Sequence, residues 1–228
     1  MAIKVSAIIS AYYAEKYLDA RVRNLVIQQP RPEVVAVCQR GSKEEYILNS
    51  MRENVDVYVV TENIPTVYDA WNIGIEKATG DYITNANCDD RLYSGAIAAL
   101  SSVLYKNEGV AVAYADCDIV EQIGGSPVGR YTWKEGGLDE LMEGCFLGPM
   151  PMWRKSLHEK YGMFDAEMHS AGDYEFWLRL AAGGEKFYHI KQPFGAYLKR
   201  KDSVEHREAL RSVCEQARAK SRYGGNWL

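Results

Sequence analysis

The chain has 228 residues, 47% of them hydrophobic and 25% charged, with a formal net charge of −4. This is ordinary globular composition, enough for one sizeable α/β domain; it excludes a disordered chain, and the acidic balance argues against a dedicated nucleic-acid binder. Cys38, Cys88, Cys117, Cys145 and Cys214 are scattered with no C-x-x-C pair, which speaks against a disulfide framework or a zinc site and for a reducing compartment.

Strand and helix signals alternate through the first half. Lys4 to Ile9 is a short β-rich run, and Val34 to Cys38 and Val55 to Val60 are two more. Such runs suit a parallel sheet covered by helices on both faces. Tyr13, Tyr17, Leu18 and Leu25 form a helical stripe between them, and Val67, Ala70, Trp71, Gly74, Ile75 and Ala78 form a clearer one, which Gly80 is expected to end. A fourth strand is expected over Tyr82 to Thr84, a helix from Leu92 to Leu104, and a fifth strand over Val110 to Tyr114. Beyond Asp118 the pattern loosens: Gly124 to Pro127 and Gly136-Gly137 are turns, and Gly144 to Pro151 is a loop rich in Gly, Pro and Met. Helices return at Asp173 to Ala182 and from about Glu205 to Arg222.

The N-terminal apolar run, Ala7 to Ile9, is too short for a signal peptide, and the uncharged stretch from Leu92 to Tyr105 is too short to span a bilayer. The expectation is a single cytoplasmic domain over residues 1–228 with no transmembrane segment. The basic excess from Lys199 to Arg222 reads mainly as a solvated helix face, with a few cations able to meet an anionic ligand.

Chemistry concentrates in Gly80-Asp81-Tyr82-Ile83-Thr84-Asn85-Ala86-Asn87-Cys88-Asp89-Asp90. A short strand there ends in clustered polar side chains, and open α/β sheets bind ligands at the C-terminal ends of their strands. Asn87, Asp89 and Asp90 offer hard oxygen ligands suited to Mg²⁺ or Mn²⁺. Taken alone, Asp89-Asp90 reads equally well as a cap on the helix beginning near Leu92.

With its neighbours, this segment resembles a family 2 glycosyltransferase of the GT-A fold. The resemblance rests on Val5 to Tyr12 as the opening strand and nucleotide loop, Val37 to Ser42 where an acidic pair usually precedes Gly-Ser, and Ala70 to Ile75 where the helix normally carries Arg-Asn. It continues with Asn87-Cys88-Asp89-Asp90 at the D-x-D-D position, Gly148 to Lys155 with Tyr161 to Asp165 as the acceptor-side loop and G-x-F-D turn, and Gly172 to Leu180 as the helix led by the catalytic Asp.

The resemblance implies an α/β, Rossmann-like fold with a central, mostly parallel mixed sheet flanked by helices. A nucleotide-sugar-binding half would run to about residue 118 and an acceptor-side half from 119 to 228. The implied activity is inverting transfer of a sugar from a nucleotide-diphosphate sugar, a UDP-sugar by expectation, to the hydroxyl of a glycan or other acceptor, with Mn²⁺ or Mg²⁺ as cofactor. Asp173 is the implied general base. Ser10, Ala11, Tyr12, Gln39, Asn72, Asn87, Cys88 and Asp89 are implied on the donor side, and Met150, Trp153 and Gly172 on the acceptor side. Asp89 and His206 are the implied metal ligands, with Asn87 and Asp90 as further candidates. An Asp at a helix start also reads as an N-cap, and a lone His as a surface residue.

Three departures bear on the donor: Gln39-Arg40 replaces the acidic pair, Trp71 replaces the Arg, and Asn87 replaces the first Asp of the motif. They leave open a catalytically weakened homologue that binds nucleotide or glycan without turnover. A nucleotidyltransferase ranks behind both, because no Gly-rich, Arg-containing phosphate loop follows the first strand.

Overall fold

In the computed structural model, which describes residues 3–200 and 209–224, β1 (Val5–Ala11) lies inside a sheet, parallel to β2 (Glu33–Gln39) on one side and β4 (Tyr82–Asn85) on the other. β3 (Val57–Thr61) continues the parallel run beyond β2. Helices α1 (Leu18–Val26), α2 (Lys43–Ser50) and α3 (Val67–Lys77) connect these strands. Ala7 and Ile9 belong to one apolar cluster and Ile8 to another, because successive side chains leave a strand on opposite faces. Both faces are therefore covered, which is why β1 reads as a continuous apolar run.

After β4 come β5 (Arg91–Leu92), α4 (Ala96–Lys106), β6 (Val110–Val120), β7 (Gly129–Tyr131), α5 (Leu138–Glu143) and β8 (Met152–Arg154). They are followed by α6 (Leu157–Tyr161), α7 (Gly172–Ala182), β9 (Lys186–Leu198) and α8 (Ala209–Tyr223). The strand order is β3-β2-β1-β4-β8-β6-β9-β5, with β7 paired to β6. β8 is antiparallel to both β4 and β6, so β6 and β9 run in the same direction as β1 to β4. The C-terminal ends of all these strands therefore share one edge. This is the expected mixed, mostly parallel sheet flanked by helices.

Several local expectations are corrected. The fifth strand, expected over Val110 to Tyr114, runs on as β6 to Val120 and pairs with β9 along its length. β9 itself has no clear sequence signal, since Pro193 and Gly195 interrupt it and its pairing with β6 carries register shifts. Gly80 does not end α3: the helix stops at Lys77 and Ala78 is already extended. Gly80 instead passes close to β1, donating its N–H to Ser6 Oγ at 2.9 Å, where a Cβ would stand 2.7 Å from Ser6 N. The helix after Asp89-Asp90 starts at Ala96, behind a left-handed Gly95, and β5 intervenes by pairing with β9. Asp89-Asp90 is thus not the N-cap of that helix.

Trp153, on β8, is 1% exposed and its Nε1–H donates to His158 Nε2 at 2.9 Å. The His158 proton accordingly sits on Nδ1, which faces Gly162 O at 3.2 Å. Burial pushes the His158 imidazole down to about 4. A neutral buried His whose folded pKa lies below its unfolded value costs stability as pH falls from about 6.5 to 4, where only the unfolded chain takes up the proton. His158→Gln is expected to remove about 3 kcal/mol of that acid-side loss, read as a smaller difference in unfolding free energy between pH 7 and pH 4 than in the parent.

Candidate active site

Three connections leave the sheet at the shared edge. Ala11 pairs with Cys38, so Tyr12 and Gln39 emerge side by side from β1 and β2. Ile8 pairs with Asn85, the Ala86 N–H donates to Ile8 O at 2.8 Å, and Cys88 Sγ lies 3.7 Å from Ser10 O. Asn87-Cys88-Asp89 therefore runs alongside the end of β1. Ala11 and Cys88 are buried, so their contribution to the edge is mainly backbone, whereas Tyr12 is 39% exposed. Its ring lies 4.3 Å, centroid to centroid, from that of Tyr13, whose φ of 49° is left-handed. Glu44, from α2, holds this turn by accepting the N–H groups of Ala14 at 2.7 Å and Glu15 at 3.2 Å. Arg40 turns outward to an exposed pair with Glu62, leaving Gln39 as the polar group of that position at the edge.

Asp89 and Asp90 have different surroundings. Asp89 is a quarter exposed and pairs with Arg200 at 2.8 Å. Asp90 is 2% exposed; its carboxylate accepts the Asn87 amide and the Leu198 N–H, each at 3.3 Å. Burial, reinforced by the Asp89 charge, pushes the Asp90 carboxyl up to about 7. Asp90 therefore braces the motif against β9 and is turned away from any outward ligand, which corrects it as a metal candidate; half-buried Asn87 gives Asp90 its amide N–H, and its carbonyl oxygen remains a candidate donor. Beneath them the fully buried Arg21 donates to Asp90 O at 3.2 Å and Asn24 Oδ1 at 3.0 Å.

Among the described residues, no group of three or more His, Cys, Asp or Glu side chains forms a ready metal cage. The donor set still fits Mg²⁺ or Mn²⁺, which are commonly held by one or two carboxylates and complete their shell with substrate phosphates and water. Asp89 is the outward carboxylate that would hold such an ion, exchanging Arg200 for it. His206 lies outside the described residues.

Asp173 is the second residue of α7, whose N-cap is Ala171, so the N-cap role falls to another residue. Its Oδ1 accepts the Tyr68 hydroxyl at 3.0 Å and the Tyr174 N–H at 2.9 Å. Tyr68 sits in the first turn of α3, just beyond β3, and so draws Asp173 to the same sheet edge as Tyr12, Gln39 and Asp89. Gly172 permits this approach: a Cβ there would stand 2.8 Å from the Tyr68 ring. The loop before β8 connects the two regions, with Pro149 O accepting the Asn85 amide at 3.1 Å.

Three further sequence assignments are corrected by packing. Met150 and Trp153 are core residues, so neither offers a surface to an acceptor. Asn72 uses both ends of its amide on Phe164, donating to its carbonyl at 2.9 Å and accepting its N–H at 3.0 Å. It clamps α3 to the turn before α7 rather than facing a donor. Asn72→Ala is expected to cost about 1–3 kcal/mol of stability, from the backbone groups left unpaired, while nucleotide affinity by calorimetry stays at the parent value. Glu44, Tyr68 and Arg200 are edge residues that the motif reading did not assign; their partners are distant in sequence, and only the basic excess beginning at Lys199 hinted at one of them.

The Glycosyl transferase family 2 model matches residues 6–144. The glycosyltransferase YwdF of Bacillus subtilis (strain 168), itself uncharacterised, is 24% identical over 197 residues, covering 83% of this chain and 71% of that protein. The solved structure of S. aureus TarS in complex with UDP superposes with a TM-score of 0.73 at 16% identity, over 97% of this chain and 65% of that one. The mannosyltransferase PcManGT from Pyrobaculum calidifontis, in complex with GDP-Man and Mn²⁺, gives a TM-score of 0.73 at 16% identity, over 99% of this chain and 66% of that one. The chain thus spans about two thirds of the length of these solved relatives.

Proposed function

Because the chain belongs to glycosyl transferase family 2 and is a glycosyltransferase, we propose that it transfers a sugar from a UDP-sugar to an acceptor hydroxyl with inversion. The observation that carries this reading is the shared sheet edge, past which an exposed Tyr12, a half-buried Gln39 and an outward Asp89 follow their strands, with Asp173 tethered to Tyr68 in the first turn of the helix that follows β3. Tyr12 offers a ring for the base to stack on, and Gln39 offers an amide that can both donate to and accept from a uracil edge. TarS in complex with UDP supports this choice of base, and the GDP-Man of PcManGT makes guanine the competing one. A divalent cation bound at Asp89 would supply Lewis-acid neutralisation of the diphosphate; the Mn²⁺ of PcManGT supports a cation of this kind.

In this proposal Arg200, released from Asp89, turns its guanidinium to the diphosphate oxygens. Asp173 accepts the proton of the acceptor hydroxyl, whose oxygen attacks the anomeric carbon opposite the leaving diphosphate. Tyr68 and the Tyr174 N–H hold one Asp173 oxygen and so restrict the carboxylate's rotation. The acceptor is taken as a glycan or other hydroxyl compound. Among the described residues no helix is long and apolar enough to cross a membrane.

The inward turn of Asp90 and the presence of Asn87 at the motif's first position leave a single outward carboxylate in the motif, which favours a second reading: a homologue that binds nucleotide sugars without turning them over. A panel of UDP- and GDP-sugars, assayed for nucleoside diphosphate release with Mn²⁺, Mg²⁺ or chelator, separates the two. Metal-dependent release with a UDP-sugar is the expected result. Calorimetric binding with no release under any condition would establish the second reading.

A further inference from the structure

The inward face of α8 is Ser212, Glu215 and Ala219, and its Leu210 and Val213 are exposed. A helix that docks through a carboxylate rather than an apolar stripe needs partners for that charge. Glu215 has them in consecutive backbone amides. Its carboxylate accepts the N–H groups of His169 at 2.9 and 3.0 Å, Ser170 at 2.8 Å and Ala171 at 3.1 Å, together with the Ser170 hydroxyl at 3.3 Å. Burial alone would raise this carboxyl, but the amides outweigh it and hold Glu215 below the usual carboxylate range.

Those amides lead directly into α7. Ala171, the N-cap, has no side-chain cap of its own; Glu215, from a helix far along the chain, accepts the N-cap's own N–H and the two amides before it, at the positive end of the α7 dipole. Asp173 follows two residues later, with Gly172 pressed on the Tyr68 ring. The turn before Asp173 is thus held from outside by one carboxylate. Other contacts keep α8 in place independently: Arg218 with Glu167 at 2.9 Å, Arg222 with Asp165 at 2.8 Å, and the Tyr223 hydroxyl with Glu175 at 2.5 Å.

We propose that Glu215 is a positioning residue for the transfer reaction: by gathering the His169, Ser170 and Ala171 amides it sets where the Asp173 carboxylate stands relative to the acceptor hydroxyl. This rests on the reading of Asp173 as the general base. A carboxylate displaced by about 1 Å from its reactive position can lose on the order of 10² in rate, while the donor's nucleotide, held by the loops after β1 and β2, is bound as before.

The test is a cycle of four proteins, the parent, Glu215→Gln, Asp173→Asn and the double variant, each measured for kcat and for nucleotide-sugar Kd by calorimetry. Arg218→Ala serves as a control that removes a different α8 anchor. Glu215→Gln is expected to lower kcat by about 10- to 100-fold at unchanged Kd, with Arg218→Ala near the parent. In the Asp173→Asn background the Glu215 substitution is expected to cost nothing further, because it acts through Asp173. Parent-like kcat for Glu215→Gln, or the same fold loss in both backgrounds, overturns the positioning role and leaves the base assignment standing. Parent-like kcat for Asp173→Asn removes the base assignment and this inference with it. Should Glu215→Gln fail to fold, Glu215→Asp, which keeps the charge and withdraws the oxygens by one methylene, is read by the same criteria.

Discussion

Asp173→Asn is expected to lower kcat by on the order of 10²–10⁴, with nucleotide-sugar affinity and melting temperature close to the parent's. Asn retains an Oδ1 that can accept the Tyr68 hydroxyl and the Tyr174 N–H, the two bonds that hold Asp173 in place. What it loses is the ability to take a proton. Asp173 is not the N-cap of α7, since Ala171 fills that position and Glu215 satisfies the amides before it, so the substitution leaves the capping intact. The deciding measurement is kcat at saturating donor and acceptor beside the melting curve. Near-parent turnover from a folded Asp173→Asn protein would refute the base assignment.

Asp89→Ala is expected to have the other large effect. A Lewis-acidic cation contributes several kcal/mol to departure of a diphosphate, so losing the outward carboxylate should cost on the order of 10³-fold in turnover. Asp90 cannot take over, because its carboxylate is buried and accepts the Asn87 amide and the Leu198 N–H. Stability should change little: the Asp89–Arg200 pair is partly exposed on both sides, and such pairs contribute about 0–1 kcal/mol. The check is calorimetry of UDP with and without Mn²⁺. If Asp89→Ala binds UDP as tightly as the parent and with the same Mn²⁺ dependence, the motif has been assigned wrongly.

Much of the fold was legible in the residues. Apolar runs such as Val34 to Cys38 mark strands buried on both faces, and Val67, Ala70, Trp71, Gly74 and Ile75 mark the helix that covers one face. These signals are local, because strand and helix periods are written in consecutive residues. β9 was not legible: its register shifts against β6 are made by pairing with a strand more than sixty residues earlier, and Pro193 and Gly195 mask its pattern.

The candidate site divides along the same line. Sequence by itself determined the chemical groups: the Asp89-Asp90 pair after a short strand, an Asp at the start of the helix at 172–182, and Gln39 and Tyr12 just past strand ends. Tertiary structure decided which of them face outward. Asp89 and Asp90 are identical and adjacent, yet one meets Arg200 at the surface and the other is buried against β9. Asn72 and Trp153 stand in motif positions but are consumed by Phe164 and His158. A side chain's type limits the bonds it can make, but whether those bonds go to the protein or remain for a ligand depends on partners brought close only by packing. Glu215 is the clearest case: nothing within α8 distinguishes it from a solvated acid, and its role arises from three amides some 45 residues away.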